Sequence, residues 1–201
     1  TQIFASPLRY DGDWKPHPYL AESWKVADDG LSVTLNLVKD AKFHDGKPVT
    51  SEDVKFSIET IKAHHPFKTM FEPVSSVEAR DEHTAVIHLA HPHPALLLCL
   101  SGALCPIIPK HVFGDGQDIV NHPANSKPVG SGPFKLAEFK AGEQIVLGKN
   151  PDFFIKGRPY LDKIVIRISP DLNSVVLATE NGQADFLPFL AESQSITRLQ
   201  K

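Results

Sequence analysis

The chain has 201 residues, 41% of them hydrophobic and 22% charged, which is the length of one large domain or two small ones. A chain of this size buries roughly 70% of its unfolded surface without disulfide staples, and the composition excludes collagen, coiled coil and wholesale disorder. With 21 Lys and Arg against 24 Asp and Glu, the net charge is -3, which offers no basic footprint for nucleic acid or anionic lipid.

In chain order, the first clear element is a strand at 31–37. Leu31, Val33, Leu35 and Leu37 alternate there with Ser32, Thr34 and Asn36, the period-two pattern of a half-buried strand. Asp28-Asp29-Gly30 before it and His44-Asp45-Gly46-Lys47-Pro48 after it are turn chemistry. Thr50-Ser51-Glu52-Asp53 reads as a helix start, with Asp53 where a capping box places its acid. Val54, Ile58 and Ile61 then fall on one helical face, and the helix should stop before His64-His65-Pro66. Val74 to Ala79 and Thr84 to Leu89 read as strands, and the prolines at 92 and 94 break regular structure. Ala95 to Leu104 has the length of a short buried helix, and its apolar run is far too short to span a bilayer. Phe134 to Phe139 and Gln144 to Lys149 form an expected hairpin across Ala141-Gly142. A strand is expected over 163–169, a helix over 171–181 closed by Asn181-Gly182, a strand over 184–189 and a helical tail over 192–201. The 17 prolines, above the usual share of about 5%, fit many extended connections. The class is mixed α and β.

Ten histidines invite a metal reading, yet the zinc-hydrolase pattern of two His four apart on a helix around a Glu does not occur. His64 and His65 are adjacent and point apart in any regular element. His88, His91 and His93 come nearest to a ligand set, because an extended segment puts i and i+2 on one face. Pro92 and Pro94 fit an exposed loop equally. Cys99 and Cys105 are spaced for either a disulfide or two buried free thiols. Gly130-Ser131-Gly132 lacks the spacing of a nucleophile elbow and of a dinucleotide fingerprint, which leaves a tight loop between Pro128 and Pro133. Trp14, Trp24, Phe153, Phe154 and Tyr160 are aromatic enough to wall a ligand, or to pack a core or a domain interface. These patterns assign no catalytic residue, no metal site and no cofactor.

Three longer motifs carry more. They are Leu20-Ala21-Glu22-Ser23-Trp24, then Asp28-Asp29-Gly30-Leu31, then the run Phe43-His44-Asp45-Gly46-Lys47-Pro48-Val49-Thr50-Ser51-Glu52-Asp53-Val54. Pro128-Val129-Gly130-Ser131-Gly132-Pro133-Phe134, Asn150-Pro151-Asp152-Phe153-Phe154, Gly157-Arg158-Pro159-Tyr160-Leu161-Asp162 and Gly182-Gln183-Ala184-Asp185-Phe186 follow in order. This series, from about Ile3 to Phe189, resembles the bacterial family 5 extracellular solute-binding proteins, the peptide- and nickel-binding receptors of ABC importers.

The resemblance implies a non-enzymatic, two-lobed clamp that closes on its solute by a hinge motion. The solute is expected to be a di- or oligopeptide, held by main-chain-directed hydrogen bonds and by salt bridges to its termini. Delivery to a membrane ABC permease, a periplasmic or lipid-anchored extracellular location, and a monomeric full-length receptor are expected with it. Nickel-chelate, sugar and opine ligands are alternatives within the class. Family members are more than twice this long and open with a strand that would precede Thr1; with Met70 the only methionine, the native start is expected upstream. Residues 1–30 and 126–190 are assigned to lobe one of a periplasmic-binding-protein-like fold with a mixed sheet. Residues 31–125 are assigned to an inserted smaller subdomain, and 191–201 to a tail leading toward a second lobe outside the chain. Phe4, Ser6 and Leu8, which follow the family's first strand, are candidate ligand-binding positions. So are Gly130, Ser131 and Gly132, on a loop whose bare backbone can approach a ligand closely; the alternative for each is a structural turn or a packed edge. Two other classes stay open on the residues, namely a metalloenzyme using His88, His91 and His93, and an interaction module presenting a sheet edge.

Overall fold

The computed structural model describes residues 2–187 and residue 199. It divides into two compact units, the first made of Thr1–Leu136 and Leu147–Lys163, the second of Ala137–Val146 and Ile164–Lys201.

The first unit opens with a two-stranded antiparallel ribbon of β1 (Leu8–Tyr10) and β2 (Pro16–Pro18), in which Leu8 faces Pro18. A two-stranded ribbon consists of edges, which is where strand prolines are tolerated. Its main sheet comprises β3 (Ala21–Val26), β4 (Ser32–Leu37), β5 (Val74–Asp81) and β6 (Thr84–Leu89), ordered β3-β4-β6-β5 with every pair antiparallel. The alternation at 31–37 is realised in β4, where Val33, Leu35 and Leu37 are buried. Val33 lies opposite Ile87 and Leu35 opposite Ala85. The turn before β4 has Gly30 at φ 69°, a left-handed conformation that glycine takes without penalty. Leu31 N–H donates to Asp29 Oδ1 at 2.9 Å beside it.

Helix α1 (Ser51–His64) starts where its cap predicts and runs one residue past the expected stop, through His64. Asp53 Oδ2 accepts both the backbone N–H and the hydroxyl of Thr50, each at 2.9 Å, completing a capping box. Glu52 and Asp53 sit in its first turn and Lys62 and His64 in its last, the arrangement the helix dipole favours. Val54, Ile58 and Ile61 bury one face against β5 and β6. Asp53 Oδ1 also accepts Lys110 N–H, and Ser57 Oγ accepts Ile108 N–H, both at 2.9 Å. These bonds fasten α1 to the segment leading into α3 (Lys110–Phe113). Leu35, Leu37, Ile58, Phe71, Leu100 and Ile107 are wholly or almost wholly buried in the same core as Ala5, Leu8 and Leu20. Each large side chain so buried contributes about 1.5–3 kcal/mol.

The expected helix at 95–104 is a single turn, α2 (Leu96–Cys99). Ser101 and Gly102 follow it and Pro106 bars continuation, so the apolar run folds into the core as turns.

A three-stranded sheet runs β7 (Phe134–Lys140), β8 (Gln144–Lys149), β9 (Lys163–Arg167) in that order; β7 and β8 each have residues in both units. The turn joining them carries Gly142 at φ 77°. In the second unit, α4 (Leu172–Glu180) is capped by Asp171, whose carboxylate accepts Asn173 N–H at 3.2 Å and Ser174 N–H at 3.0 Å. Gly182 at φ 66° closes it. Residues 184–187 form no strand; the rest of that expected strand, and the helical tail except Leu199, lie outside the described residues. Among the described residues no helix is long and apolar enough to cross a membrane. The architecture is mixed α and β, as the sequence predicts.

Candidate functional site

The loop at 130–132 of the first unit is anchored from two sides. Gly132 N–H donates to the Ile3 carbonyl at 2.8 Å and Phe134 N–H to the Gln2 carbonyl at 3.0 Å, so the chain opening lies along the loop as an added backbone layer. From the other side, His44 N–H donates to the Gly130 carbonyl at 2.7 Å. Gly130 N–H donates to His44 Nδ1 at 3.2 Å, and His44 Nε2 is 3.1 Å from the Gly132 carbonyl. Asn150, itself buried, donates from Nδ2 to the same carbonyl at 3.0 Å. Gly132 O thus has two donors for its two lone pairs.

The glycines here serve close approach and not turn geometry, since neither appears among the positive-φ residues. A Cβ on Gly130 would fall on the Ile3 carbonyl oxygen, and one on Gly132 would come to 2.5 Å from the Gln2 carbonyl oxygen. Ser131 between them is 0% exposed, and its hydroxyl finds no hydrogen-bond partner among the described residues.

Of the other three candidate positions, Ser6 is buried and its hydroxyl donates to the Leu8 carbonyl at 2.7 Å. Leu8 is fully buried in the core, and its N–H donates to the Leu100 carbonyl at 3.1 Å. Phe4 is half-buried. The structure therefore brings the 2–6 segment and the 130–132 loop together as one backbone layer, with Phe4 and the Ser131 hydroxyl as the groups not already committed to it. His44 and Asn150 were missing from the expected set. Their signal lay in the motifs Phe43-His44-Asp45-Gly46 and Asn150-Pro151-Asp152, which look like turns when each is taken alone.

The remaining candidates disperse. His88 Nε2 faces Glu78 Oε2 at 3.3 Å, His93 Nε2 is 3.1 Å from the Met70 carbonyl, and His91 Nδ1 is 3.4 Å from the Pro92 carbonyl. Among the described residues no group of three or more His, Cys, Asp or Glu is placed to hold a metal ion. Cys99 and Cys105 are free, buried thiols, and burial raises the pKa of both. Phe153 and Phe154 pack with Tyr19, at ring-centroid distances of 6.3 and 5.5 Å; burial pushes the Tyr19 hydroxyl up to about 12. Trp24 packs against the core, whereas Trp14 and Tyr160 are 75% and 73% exposed. The Arg158 guanidinium lies 3.7 Å over the Tyr160 ring. The five aromatic candidates do not form one wall.

Residues 15–201 match the family described as bacterial extracellular solute-binding proteins, family 5 Middle. The oligopeptide-binding protein AppA of Bacillus subtilis (strain 168) is 35% identical over 176 residues, covering 83% of this chain and 32% of its own length. The solved structure of that protein in complex with a nonapeptide superposes on 100% of this chain and 40% of its own, with a TM-score of 0.87 at 30% identity. NikZ from Campylobacter jejuni in complex with Ni(L-His) gives a TM-score of 0.82 at 29% identity, over 92% of this chain and 37% of its own. AgaA from A. tumefaciens R10 in complex with agropinic acid gives 0.84 at 35% identity, over 91% and 37%. The chain therefore spans about a third of the curated relative's length.

Proposed function

The chain belongs to the bacterial extracellular solute-binding proteins, family 5, and from that premise we propose that it is part of the substrate-capture component of an ABC importer. Its solute is a di- or oligopeptide, handed to a membrane permease from the periplasm or from a lipid-anchored position on the cell surface. The observation that supports this most is the superposition of the whole chain on a relative holding a nonapeptide. Residues 1–30 and 126–190 contribute to one lobe, 31–125 form its inserted subdomain, and the full-length receptor works as a monomer.

Within this chain, Phe4 is the candidate that faces the solute, while Ser6, Leu8, Gly130, Ser131 and Gly132 hold it in place. The Ser131 hydroxyl, fully buried and without a partner among the described residues, costs on the order of 1–3 kcal/mol and lies beyond a solute's reach. Calorimetry and thermal-shift screening on the product of the complete gene test the reading. A peptide pool should raise the melting temperature by mass action; Phe4→Ala should shrink that rise, and Ser131→Ala should leave the unliganded protein as stable or more so with the rise intact. No response to any peptide pool would refute the peptide assignment. A response to a nickel chelate or an opine instead would favour the second reading, which the NikZ and AgaA complexes support.

A further inference from the structure

His44 meets two backbone groups whose roles are fixed. Gly130 N–H can only donate, so Nδ1, 3.2 Å away, must accept. The Gly132 carbonyl can only accept, so Nε2, 3.1 Å away, must donate. Together they select the neutral imidazole with its proton on Nε2, a choice normally left to inference from surroundings. A second proton has nowhere favourable to go, because it would sit on Nδ1, against the Gly130 N–H.

The surroundings push the same way overall. Desolvation lowers the imidazole pKa below its ordinary 6.5; the Gly132 bond opposes this, the Lys135 ammonium reinforces it, and Asp45 opposes it. Lys135, on β7, places Nζ 3.3 Å from the His44 carbonyl and 3.8 Å from Asp152 Oδ2. Asp45 is engaged by His111 Nε2 of α3 at 2.7 Å. The acid nearest to His44 is therefore already partnered, and so is the cation.

We propose that His44 is a positioning residue and an acid-weakened latch: its neutral imidazole clips the 130–132 loop, and protonation removes the Nδ1 acceptor of Gly130 N–H while the bonds from His44 N–H to Gly130 O and from Nε2 to Gly132 O stay in place. The latch holds above about pH 6.5 and weakens as pH falls through the lower value of the folded state. It operates whatever solute the receptor takes.

Residue-resolved NMR on this chain tests it. At pH 7.5 the His44 imidazole should carry its proton on Nε2 and should titrate below 6.5. Protection of the Gly130 amide, corrected for the intrinsic pH dependence of exchange, should fall about tenfold between pH 7.5 and a pH at which the titration shows His44 protonated, the scale of one buried donor left unpaired. In His44→Asn, where an amide oxygen replaces Nδ1 as acceptor, protection should not depend on pH over that range; in His44→Ala it should be low at both. A proton on Nδ1 at pH 7.5 would overturn the proposal. So would amide protection in the wild type that is unchanged while His44 titrates, and that reading needs no variant to fold.

Discussion

Replacing Gly130 with alanine isolates the contribution of backbone contact at the loop. The new Cβ would land on the Ile3 carbonyl oxygen, with the Ile3 carbonyl carbon at 2.6 Å and Cγ2 at 2.9 Å, closer than real Cβ atoms approach. Two of these neighbours are backbone, so no rotamer change relieves the clash. Overpacking of this kind costs about 1–3 kcal/mol. Moving Ile3 aside also strains Gly132 N–H to Ile3 O and Phe134 N–H to Gln2 O, at about 1 kcal/mol each. The sum is about 3–5 kcal/mol, or about 6–20 °C in melting temperature for a chain of this size. Urea unfolding followed by tryptophan fluorescence reads it, since Trp14 and Trp24 both lie in the first unit. Two comparisons separate contact from conformation. Gly12→Ala meets nothing within 4 Å and should stay within about 0.5 kcal/mol of wild type. Gly142→Ala also meets open space but sits at φ 77°, so it should cost about 1–2 kcal/mol from backbone strain alone. If Gly130→Ala unfolds at the same urea concentration as Gly12→Ala, the close layering of residues 2–3 on the loop is wrong.

The other expectations concern the remaining anchors. Asp53→Ala removes the acceptor for Thr50 N–H, the Thr50 hydroxyl and Lys110 N–H, and should cost about 2–4 kcal/mol in urea unfolding. Lys110→Ala breaks only the exposed pair with Glu52, 2.8 Å apart, and should cost under about 1 kcal/mol. Burial raises the pKa of both thiols, so Cys99 and Cys105 should react with a disulfide reagent only after unfolding; prompt reaction of the native chain would contradict their burial. Because the His44 pKa is lowered on folding, the unfolded chain binds the extra proton first. Stability should therefore decline as pH falls from 7.5 to 5.5, and the decline should be smaller in His44→Asn.

The elements that sequence reading found are those whose signal is local. The alternation at 31–37, the Thr50 to Asp53 cap and the Gly182 stop each depend on residues a few positions apart, and each appears where expected. The β1–β2 ribbon was invisible because Pro16 and Pro18 argue against a strand unless both strands are known to be edges. Strand β3 was missed for a related reason: only Ala21 of its six residues is buried, so no face announces itself. The apolar run at 95–104 misled in the opposite sense, being fully compatible with a helix until the tertiary fold shows Leu100 and Cys105 buried on different turns. Ser6, Leu8, Gly130, Ser131 and Gly132 could be singled out from the sequence, but not their division of labour. That depends on which side chain already has a partner. His44 illustrates the limit, since its partners lie 86 and 88 positions away.

The same separation explains why the motifs occur together. Phe43-His44-Asp45-Gly46 supplies the imidazole, Gly130-Ser131-Gly132 supplies the backbone groups it clips, and Asn150 supplies the second donor to Gly132 O. Three sequence signatures more than 80 and then about 20 positions apart are thus one contact network. Change in any one member leaves a buried donor or acceptor unpaired in another, at a cost on the order of 1–3 kcal/mol. A sequence that keeps all three is therefore keeping a scaffold joint. His44, Gly130, Gly132 and Asn150 thus mark the scaffold of the loop, because their hydrogen-bonding capacity is spent on each other.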